Sequence, residues 1–159
     1  MALRKPLVLN AGQVQQLQSG DTLDAPQSGG DVIVLTNDEA GALIQGNVVY
    51  SDANDGVKKA KADAVGTSKP VGLSVDAPAA AASGRVMVSG ILALTTGQWD
   101  AAFGTTGGLV FGTIYYLSAA TGGLGTATAP SAVGQSVVEL GYAISTTEFM
   151  VRIRQTILL

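Results

Sequence analysis

Short apolar runs separated by turn residues follow one another along most of the chain. The runs are rich in Val, Ile and Leu and are bounded by Gly, Asn, Asp and Ser, which is typical of strands joined by turns. The predicted strands lie at 31–36, 42–44, 47–51, 57–60, 71–75, 85–89, 91–94, 113–117, 136–144 and 149–153. The first of these runs is expected to be a buried strand. The spacing predicts an all-β fold, either a β-sandwich or a jelly-roll-like barrel.

One segment breaks the strand pattern. Thr95 stands three residues ahead of Gln98, as in a capping box, and Gly104 stands where a helix would end in a left-handed residue. The sequence therefore predicts one short helix at about 96–103. Trp99 and Phe103 are four residues apart and share a face, which we expect to close one end of the β core rather than to stack on a ligand.

The chain contains an internal repeat. The segments GNVVYS at 46–51 and VGLSV at 71–75 match GTIYYL at 112–117 and LGYAI at 140–144. We therefore predict two similar β halves, at about 42–94 and 108–154, each covering the apolar face of the other. The matched glycines, Gly72 and Gly141, are expected to mark a bulge or a close backbone approach.

The first thirty residues differ from the rest. Residues 1–30 show no sustained period of 2 or 3.6, so we predict an extended N-terminal arm ahead of a β domain at 31–159. The apolar stretch 6–9 is shorter than the ~7–15 residues of a signal-peptide core, and we expect no secretion. Charged residues, Pro and Gly interrupt the most apolar region, 71–94, so we expect no membrane span, which needs ~20 apolar residues.

The composition excludes most enzyme chemistry. The 159-residue sequence has no His and no Cys, which removes Ser-His-Asp and Cys-His nucleophiles, His- or Cys-ligated zinc and disulfides. We therefore expect a protein that is not an enzyme and that has no cofactor and no metal. Charged residues make up only 13 % of the chain, about half of the ~25 % of a typical soluble domain, which argues against a freely solvated monomer. The net charge of −3, with scattered basic residues, predicts no nucleic-acid partner.

Two charged segments have alternative interpretations. The segment 52–56 resembles the opening of a calcium loop, but the rest of that loop is missing, so we favour a hairpin turn with Asp55 and Gly56 at its tip. A run of lysines could meet an acidic partner, although a solvated strand face is the commoner use of such a run. The lysines are Lys58, Lys59, Lys61 and Lys69.

The candidate functional residues belong to interfaces. We expect the apolar segments 6–9 and 156–159 to pack into a groove on the same or a neighbouring subunit. Arg152 and Arg154 alternate with apolar residues and share one face of the last strand, as an ion-pair row or simply as the outside of the sheet. The chain is therefore predicted to be a subunit of a larger assembly. The predicted interface residues are Arg4, Pro6, Leu7, Val8, Leu9, Leu17, Arg152, Arg154, Ile157, Leu158 and Leu159.

Several segments carry a resemblance to a known class of proteins. They are LRKPLVL at 3–9, QQLQSGDTL at 15–23, LALTTGQWD at 92–100, GTIYYLS at 112–118, TAP at 128–130, GQ at 134–135, LGYAIS at 140–145 and ILL at 157–159. The chain resembles small structural proteins of tailed-bacteriophage virions, variously called capsid decoration or cement proteins, head-fibre proteins and tail-fibre modules. These motifs are strand and turn patterns without a chemical signature. The resemblance implies a β-rich domain without a cofactor, made in the bacterial cytoplasm and assembled as homo-oligomers on a capsid or fibre.

We therefore expect a cement protein that binds the major capsid protein on the outer surface of the virion and also binds itself. A homotrimer is favoured over a dimer. A tail-fibre or neck module stays open as an alternative. Another is a carbohydrate-binding β-sandwich that displays Tyr50, Tyr115, Tyr116 and Tyr142. Because Tyr115 and Tyr116 are adjacent in a strand, at least one of them is expected in the core.

Overall fold

The computed structural model describes residues 30–159 and the backbone of 7–10 and 13–16. Much of the predicted N-terminal arm, including Arg4, Pro6 and Leu17, lies outside the described residues. The elements are β1 (Leu7–Asn10), β2 (Gln13–Gln16), β3 (Gly30–Asn37), β4 (Val48–Ala53), β5 (Gly56–Lys59), β6 (Pro70–Ser74), β7 (Ser83–Ala93), α1 (Thr96–Phe103), β8 (Ile114–Leu117), β9 (Gly125–Thr126), β10 (Ser136–Val137), β11 (Glu139–Ala143), β12 (Glu148–Arg152) and β13 (Ile157–Leu158).

Five of the strands close a barrel. β3 pairs with β5, β5 with β4, β4 with β6, β6 with β7, and β7 with β3. The contact between β3 and β5 is parallel and consists of Thr36 opposite Gly56 and Asn37 opposite Val57. The barrel is therefore closed at only one end of β3.

A second group of strands extends from β7. β12 pairs with the last part of β7, and β11, β8 and β9 follow in that order. β10 and β13 form a separate two-stranded sheet, and β1 and β2 form a hairpin. The prediction of an all-β fold with one short helix is confirmed. Of the two predicted architectures, sandwich and barrel, the structure shows a barrel with added strands.

The two units of the internal repeat pair in the same register. In each unit, the register between the two strands shifts by one residue, because one residue of the strand that contains the matched glycine has no partner. That strand therefore carries a bulge. The matched pairs are Val49–Gly72 and Tyr50–Pro70 in the first unit, and Tyr115–Gly141 and Tyr116–Glu139 in the second. The units share one continuous sheet instead of forming two sheets, because β7, with 11 residues, is long enough to pair with both.

The matched glycines allow neighbouring strands to approach closely. A Cβ on Gly72 would lie against the carbonyl oxygen of Met87, and a Cβ on Gly141 would lie against the carbonyl oxygen of Met150. Gly141 also has a φ of +146°, which side chains with a Cβ rarely adopt. The predicted bulge and close approach are therefore confirmed at both glycines.

Some strand boundaries differ from the prediction. The segment 42–44 is a loop, although Leu43 is buried. The runs 85–89 and 91–94 form the single strand β7, because Gly90 takes a φ of +110° and lets the strand continue where a turn was expected. The run 136–144 is divided into β10 and β11. β3 is a strand as predicted, but its side chains at 32–34 are exposed, so the prediction of a buried strand is wrong.

The helix lies where the sequence predicts it. The Thr95 hydroxyl accepts a hydrogen bond from the Gln98 N–H at 3.3 Å, and the Gln98 side chain accepts one from the Thr95 N–H at 2.8 Å. Gly104 ends the helix with a φ of +64°. Trp99 and Phe103 are buried and pack in the main core cluster, which confirms their predicted structural role.

Candidate interaction surfaces

Exposed apolar side chains cluster on the described surface. All large ones except Ile44 and Val65 fall into three groups. The first group, here the β3 edge, consists of Val32, Ile33 and Val34. The second is the outer row, in which the exposed residues Tyr142 and Ile114 lie beside the half-buried Ile91 and Met150, with the exposed Val110 and Phe111 in the loop before β8. The third is the C-terminal patch, made of Val133, Ile157, Leu158 and Leu159.

The outer row crosses three strands of the second unit, β8, β11 and β12, and the neighbouring strand β7. Tyr142 is paired with Ile114 on β8 and with Met150 on β12, and Met150 is paired with Ile91 on β7. Because directly paired residues place their side chains on the same side of a sheet, these four side chains form a continuous line. Ile114 and Tyr142 are exposed, whereas Met150 and Ile91 are half-buried. The outer row is therefore a shallow apolar stripe on a hydrogen-bonded framework.

An ordered loop presents Phe111, which is 76 % exposed. The Asp100 carboxylate in the middle of α1 accepts hydrogen bonds from the Gly108 N–H at 2.8 Å, the Thr105 hydroxyl at 2.8 Å and the Gly107 N–H at 3.0 Å. These hydrogen bonds lower the pKa of Asp100 below its ordinary value: the one from the Gly108 N–H has the largest effect, and the one from the Thr105 hydroxyl has the next largest. Ionised Asp100 thus fixes the loop that leads to Phe111.

We expect Asp100→Asn to weaken the fold at neutral pH and to have less effect in acid. The folded protein lowers the pKa of this carboxyl, so its stabilising effect is complete above the ordinary aspartate pKa of about 3.9 and is lost as the pH falls through the lowered value. The measurement is the urea midpoint of the wild type and the variant at pH 7 and pH 2.5. The gap between the two proteins should narrow in acid, and an unchanged gap would contradict this role of the charge.

The C-terminal patch combines a docked backbone with exposed side chains. β13 pairs with β10, the Leu159 N–H donates to the Gln135 carbonyl at 2.9 Å, and the Gly134 N–H donates to the Leu159 carbonyl at 3.0 Å. Ile157 is still 62 % exposed and Val133 is 95 % exposed. The segment 156–159 is expected from its sequence to pack into a groove on its own or a neighbouring subunit; its large side chains, Ile157, Leu158 and Leu159, are exposed in the single chain, where the contact with β10 is made by the backbone. Packing against a neighbouring subunit stays a prediction.

An open groove of about 470 Å³ lies beside this patch. It is lined by Tyr116, Glu139, Arg154 and Ile157, among others. The Arg154 Nε lies 2.9 Å from a Glu139 carboxylate oxygen, and the Arg154 N–H donates to the Glu139 carbonyl. Arg152 is exposed on β12. Arg154 therefore pairs within its own chain, and because it is more than half exposed, the ion pair adds little stability.

The lysine-rich segment is a hairpin with local ion pairs. Asp55, at the tip between β4 and β5, has a φ of +56°, so the predicted turn is confirmed. The Lys58 ammonium lies 2.6 Å from Asp52 and lowers the pKa of that carboxyl, and Lys61 lies 2.7 Å from Asp63. In the part of the chain that the structure describes, no three His, Cys, Asp or Glu side chains gather to hold a metal ion.

Sequence reasoning missed part of these surfaces. Val110 and Phe111 form an apolar pair between glycine turns, and this was an available signal for an exposed loop. Val133 is a single apolar residue in a polar loop and gave no such signal. The β3 edge was assigned to the core because a run of β-branched residues looks the same in a covered strand and in an exposed one.

The fold and its surfaces define an all-β protein, a five-stranded barrel with added strands that presents apolar patches. No protein-family model matches the chain, and no curated protein matches it at a significant level. Among the described residues, no helix is long and apolar enough to cross a membrane.

Proposed function

We propose that this chain is a structural protein of a bacteriophage virion, a decoration protein that binds the outer surface of the assembled capsid and stabilises it. The observation that carries the proposal is the C-terminal patch, where the apolar side chains of β13 stay exposed although hydrogen bonds hold the strand in place. Such a patch is already ordered before a partner binds, so binding loses little conformational entropy. The resemblance of the sequence to phage virion proteins supports the same function.

The apolar patch explains how a protein without catalytic chemistry could stabilise a shell. Burial of an exposed aliphatic side chain contributes about 1.5–3 kcal/mol when it is complete. A protein that binds only the assembled form shifts the equilibrium towards that form. An oligomer that engages several capsid subunits at once multiplies the effect through its effective concentration. A homotrimer on the capsid is therefore the proposed assembly.

We expect Leu158→Asp to weaken capsid binding at least tenfold, because it places a charge in the apolar contact, and about 1.4 kcal/mol corresponds to that factor. The measurement is binding of the purified protein to expanded, undecorated capsids of the encoding phage, followed by electron cryomicroscopy. The wild type should saturate with icosahedrally ordered density. Leu158 is 59 % exposed in β13, so the variant should fold normally.

Val65→Asp is the matched control, because Val65 is 49 % exposed and lies outside the three apolar groups. It should bind capsids like the wild type. Wild-type protein that does not decorate the shell would overturn the proposal, and label on the tail or on host glycans would favour the fibre or carbohydrate-binding alternatives. For the latter, Tyr116 lines the groove described above, whereas Tyr115 is buried and cannot meet a ligand.

A further inference from the structure

One edge of β3 has no partner strand in the described part of the molecule. On one side, β3 pairs with β7 from Gly30 to Thr36. On the other side, β5 meets only Thr36 and Asn37. The residues 31–35, which include the three residues of the β3 edge, therefore pair on one side only. We call their unpaired side the free edge; the other described strands of the barrel close the ring.

The backbone of this free edge is directed outward. The Thr36 N–H donates to the Asp55 carbonyl at 2.7 Å, on the β5 side, and the Asn37 N–H donates to the Ala82 carbonyl at 3.0 Å, on the β7 side. Because backbone N–H and C=O groups alternate between the two edges of a strand, those of Val32 and Val34 face the free edge. These groups are available for a ladder with another strand.

The side chains of the free edge also favour strand addition. Val34 is 65 % exposed, and Val32 and Ile33 are each more than a third exposed. Natural edge strands are commonly protected by lysine or proline, which discourage unwanted pairing. The segment 31–35, DVIVL, contains neither residue. An apolar and unprotected edge is a template for another strand.

The chain carries a hairpin that suits this edge. β1 and β2 pair with each other and with no other described strand. An isolated two-stranded hairpin is marginally stable and needs a further strand or a packing partner. The sequence of β1 begins with Leu7, Val8 and Leu9. The segment 17–29 that joins the hairpin to β3 spans roughly 40 Å when extended, at about 3.3 Å per residue, which is enough to reach a neighbouring molecule.

We propose that the β1–β2 hairpin of one copy adds to the free edge of β3 in a second copy, with β1 next to β3. Among the described strands neither the hairpin nor this edge has a further partner, and a second copy of the chain supplies one of each, so a second copy is the partner that we propose. The contact is head-to-tail, because the hairpin of each copy meets the edge of the next one. Head-to-tail contacts close into a ring when the rotation allows it, and a trimer is one such ring.

Because the sequence contains no cysteine, only the introduced cysteines can form disulfides in a cross-linking test. One set of chains carries Val34→Cys, and a second set carries a single substitution, Leu7→Cys, Val8→Cys or Leu9→Cys, to cover the possible registers. The two sets are mixed without capsids and oxidised. We expect disulfide-linked dimers of Val34→Cys with at least one of the β1 variants, since opposed strand residues lie within disulfide distance.

The controls distinguish the possible occupants of the edge. Val133→Cys, at a side chain that is 95 % exposed and outside β3, should give no more than a collisional background when it is mixed with the β1 variants. A third set of chains carries Val34→Cys together with one of the β1 substitutions. A cross-link that forms only within these chains, and not between the single variants, would overturn the proposal in favour of the chain's own hairpin. Dimers of Val34→Cys alone would overturn it in favour of edge-to-edge pairing of two β3 strands.

A second variant tests the same contact through oligomer mass. Val34→Pro removes an outward N–H without removing a hydrogen bond to β7, and edge strands accept proline. We expect the wild type to be oligomeric by light scattering and the variant to have the mass of one chain, with an unchanged circular dichroism spectrum. Val34→Thr, which keeps the N–H, should retain the oligomer.

A wild-type protein with the mass of one chain, or a folded Val34→Pro variant that keeps the oligomeric mass, would refute the hairpin exchange. These experiments contain no capsid, so their failure is distinguishable from a failure of capsid binding. A chain that forms the exchanged oligomer and does not decorate capsids would refute only the proposed function.

Discussion

Replacing Phe149 with alanine is expected to lower the free energy of unfolding by about 3–5 kcal/mol, the usual range for a large aromatic residue in a core. Phe149 is fully buried on β12. Its ring centroid lies 5.3 Å from Phe103, 5.5 Å from Trp99 and 6.0 Å from Tyr115. The substitution therefore removes apolar burial and three aromatic contacts at the point where the helix meets the sheet. Because a domain of this size is stable by only about 5–15 kcal/mol, we expect the loss to be a substantial part of the stability of the protein.

The measurement is urea unfolding followed by circular dichroism and by the fluorescence of Trp99, the only tryptophan of the chain. Met150→Ala is the matched control, because Met150 is the next residue on the same strand and lies half-buried on the opposite face. Its loss should be below about 2 kcal/mol, since only part of its apolar surface is removed from water. Equal effects of the two substitutions would mean that the aromatic cluster is not the main core.

Replacing Gly141 with alanine is expected to destabilise the protein by at least about 3 kcal/mol. Two costs combine, because a residue with a Cβ is strained at the φ of +146° and the new Cβ would meet the Met150 carbonyl oxygen. Backbone strain of this kind costs about 1–3 kcal/mol by itself. Movement of β11 away from β12 to relieve the contact would weaken the ladder between them. We expect a large fall of the urea midpoint or a failure to accumulate folded protein.

Alanine substitutions at two other glycines distinguish the cost of backbone strain from the cost of the steric clash. Gly104 has a φ of +64° and open space around its Cβ position, so Gly104→Ala carries the backbone strain without the clash. Gly41 has open space and no positive φ, so Gly41→Ala should leave stability nearly unchanged. We expect Gly141→Ala to be the most destabilising of the three and Gly41→Ala the least. A Gly141→Ala protein as stable as Gly104→Ala would show that β11 and β12 separate easily.

The features that the sequence predicted well depend on local chemistry. The helix boundaries follow from Thr95, Gln98 and Gly104, which satisfy the ends of the helix through neighbours in sequence. Gly72 and Gly141 could be recognised because the repeat placed a glycine at the same point of two strands, and a glycine within a strand commonly marks a bulge or a close approach. Such signals are visible before the partner strand is known.

The features that the sequence did not predict depend on which strands become neighbours. The run 31–36 has the composition of a buried strand, but β5 pairs with only the last residues of β3, and this fact lies in the topology. The exposed side chains of β13 follow from a backbone contact with β10, which no periodicity of Ile157 to Leu159 could indicate. The surface at Val133 likewise depends on the fold of a polar loop.

Along β12, side chains alternate between the core and the outer surface of the sheet. Phe149 and Val151 belong to the core, whereas Met150 and Arg152 face outward. The same division holds across the outer row, so Ile91, Met150, Tyr142 and Ile114 are adjacent positions on one face of the sheet and lie away from the aromatic cluster. Changes confined to these four positions would alter the outer surface of the sheet and leave its core intact. The second unit thus separates a surface whose residues can vary from a core that keeps the fold the same.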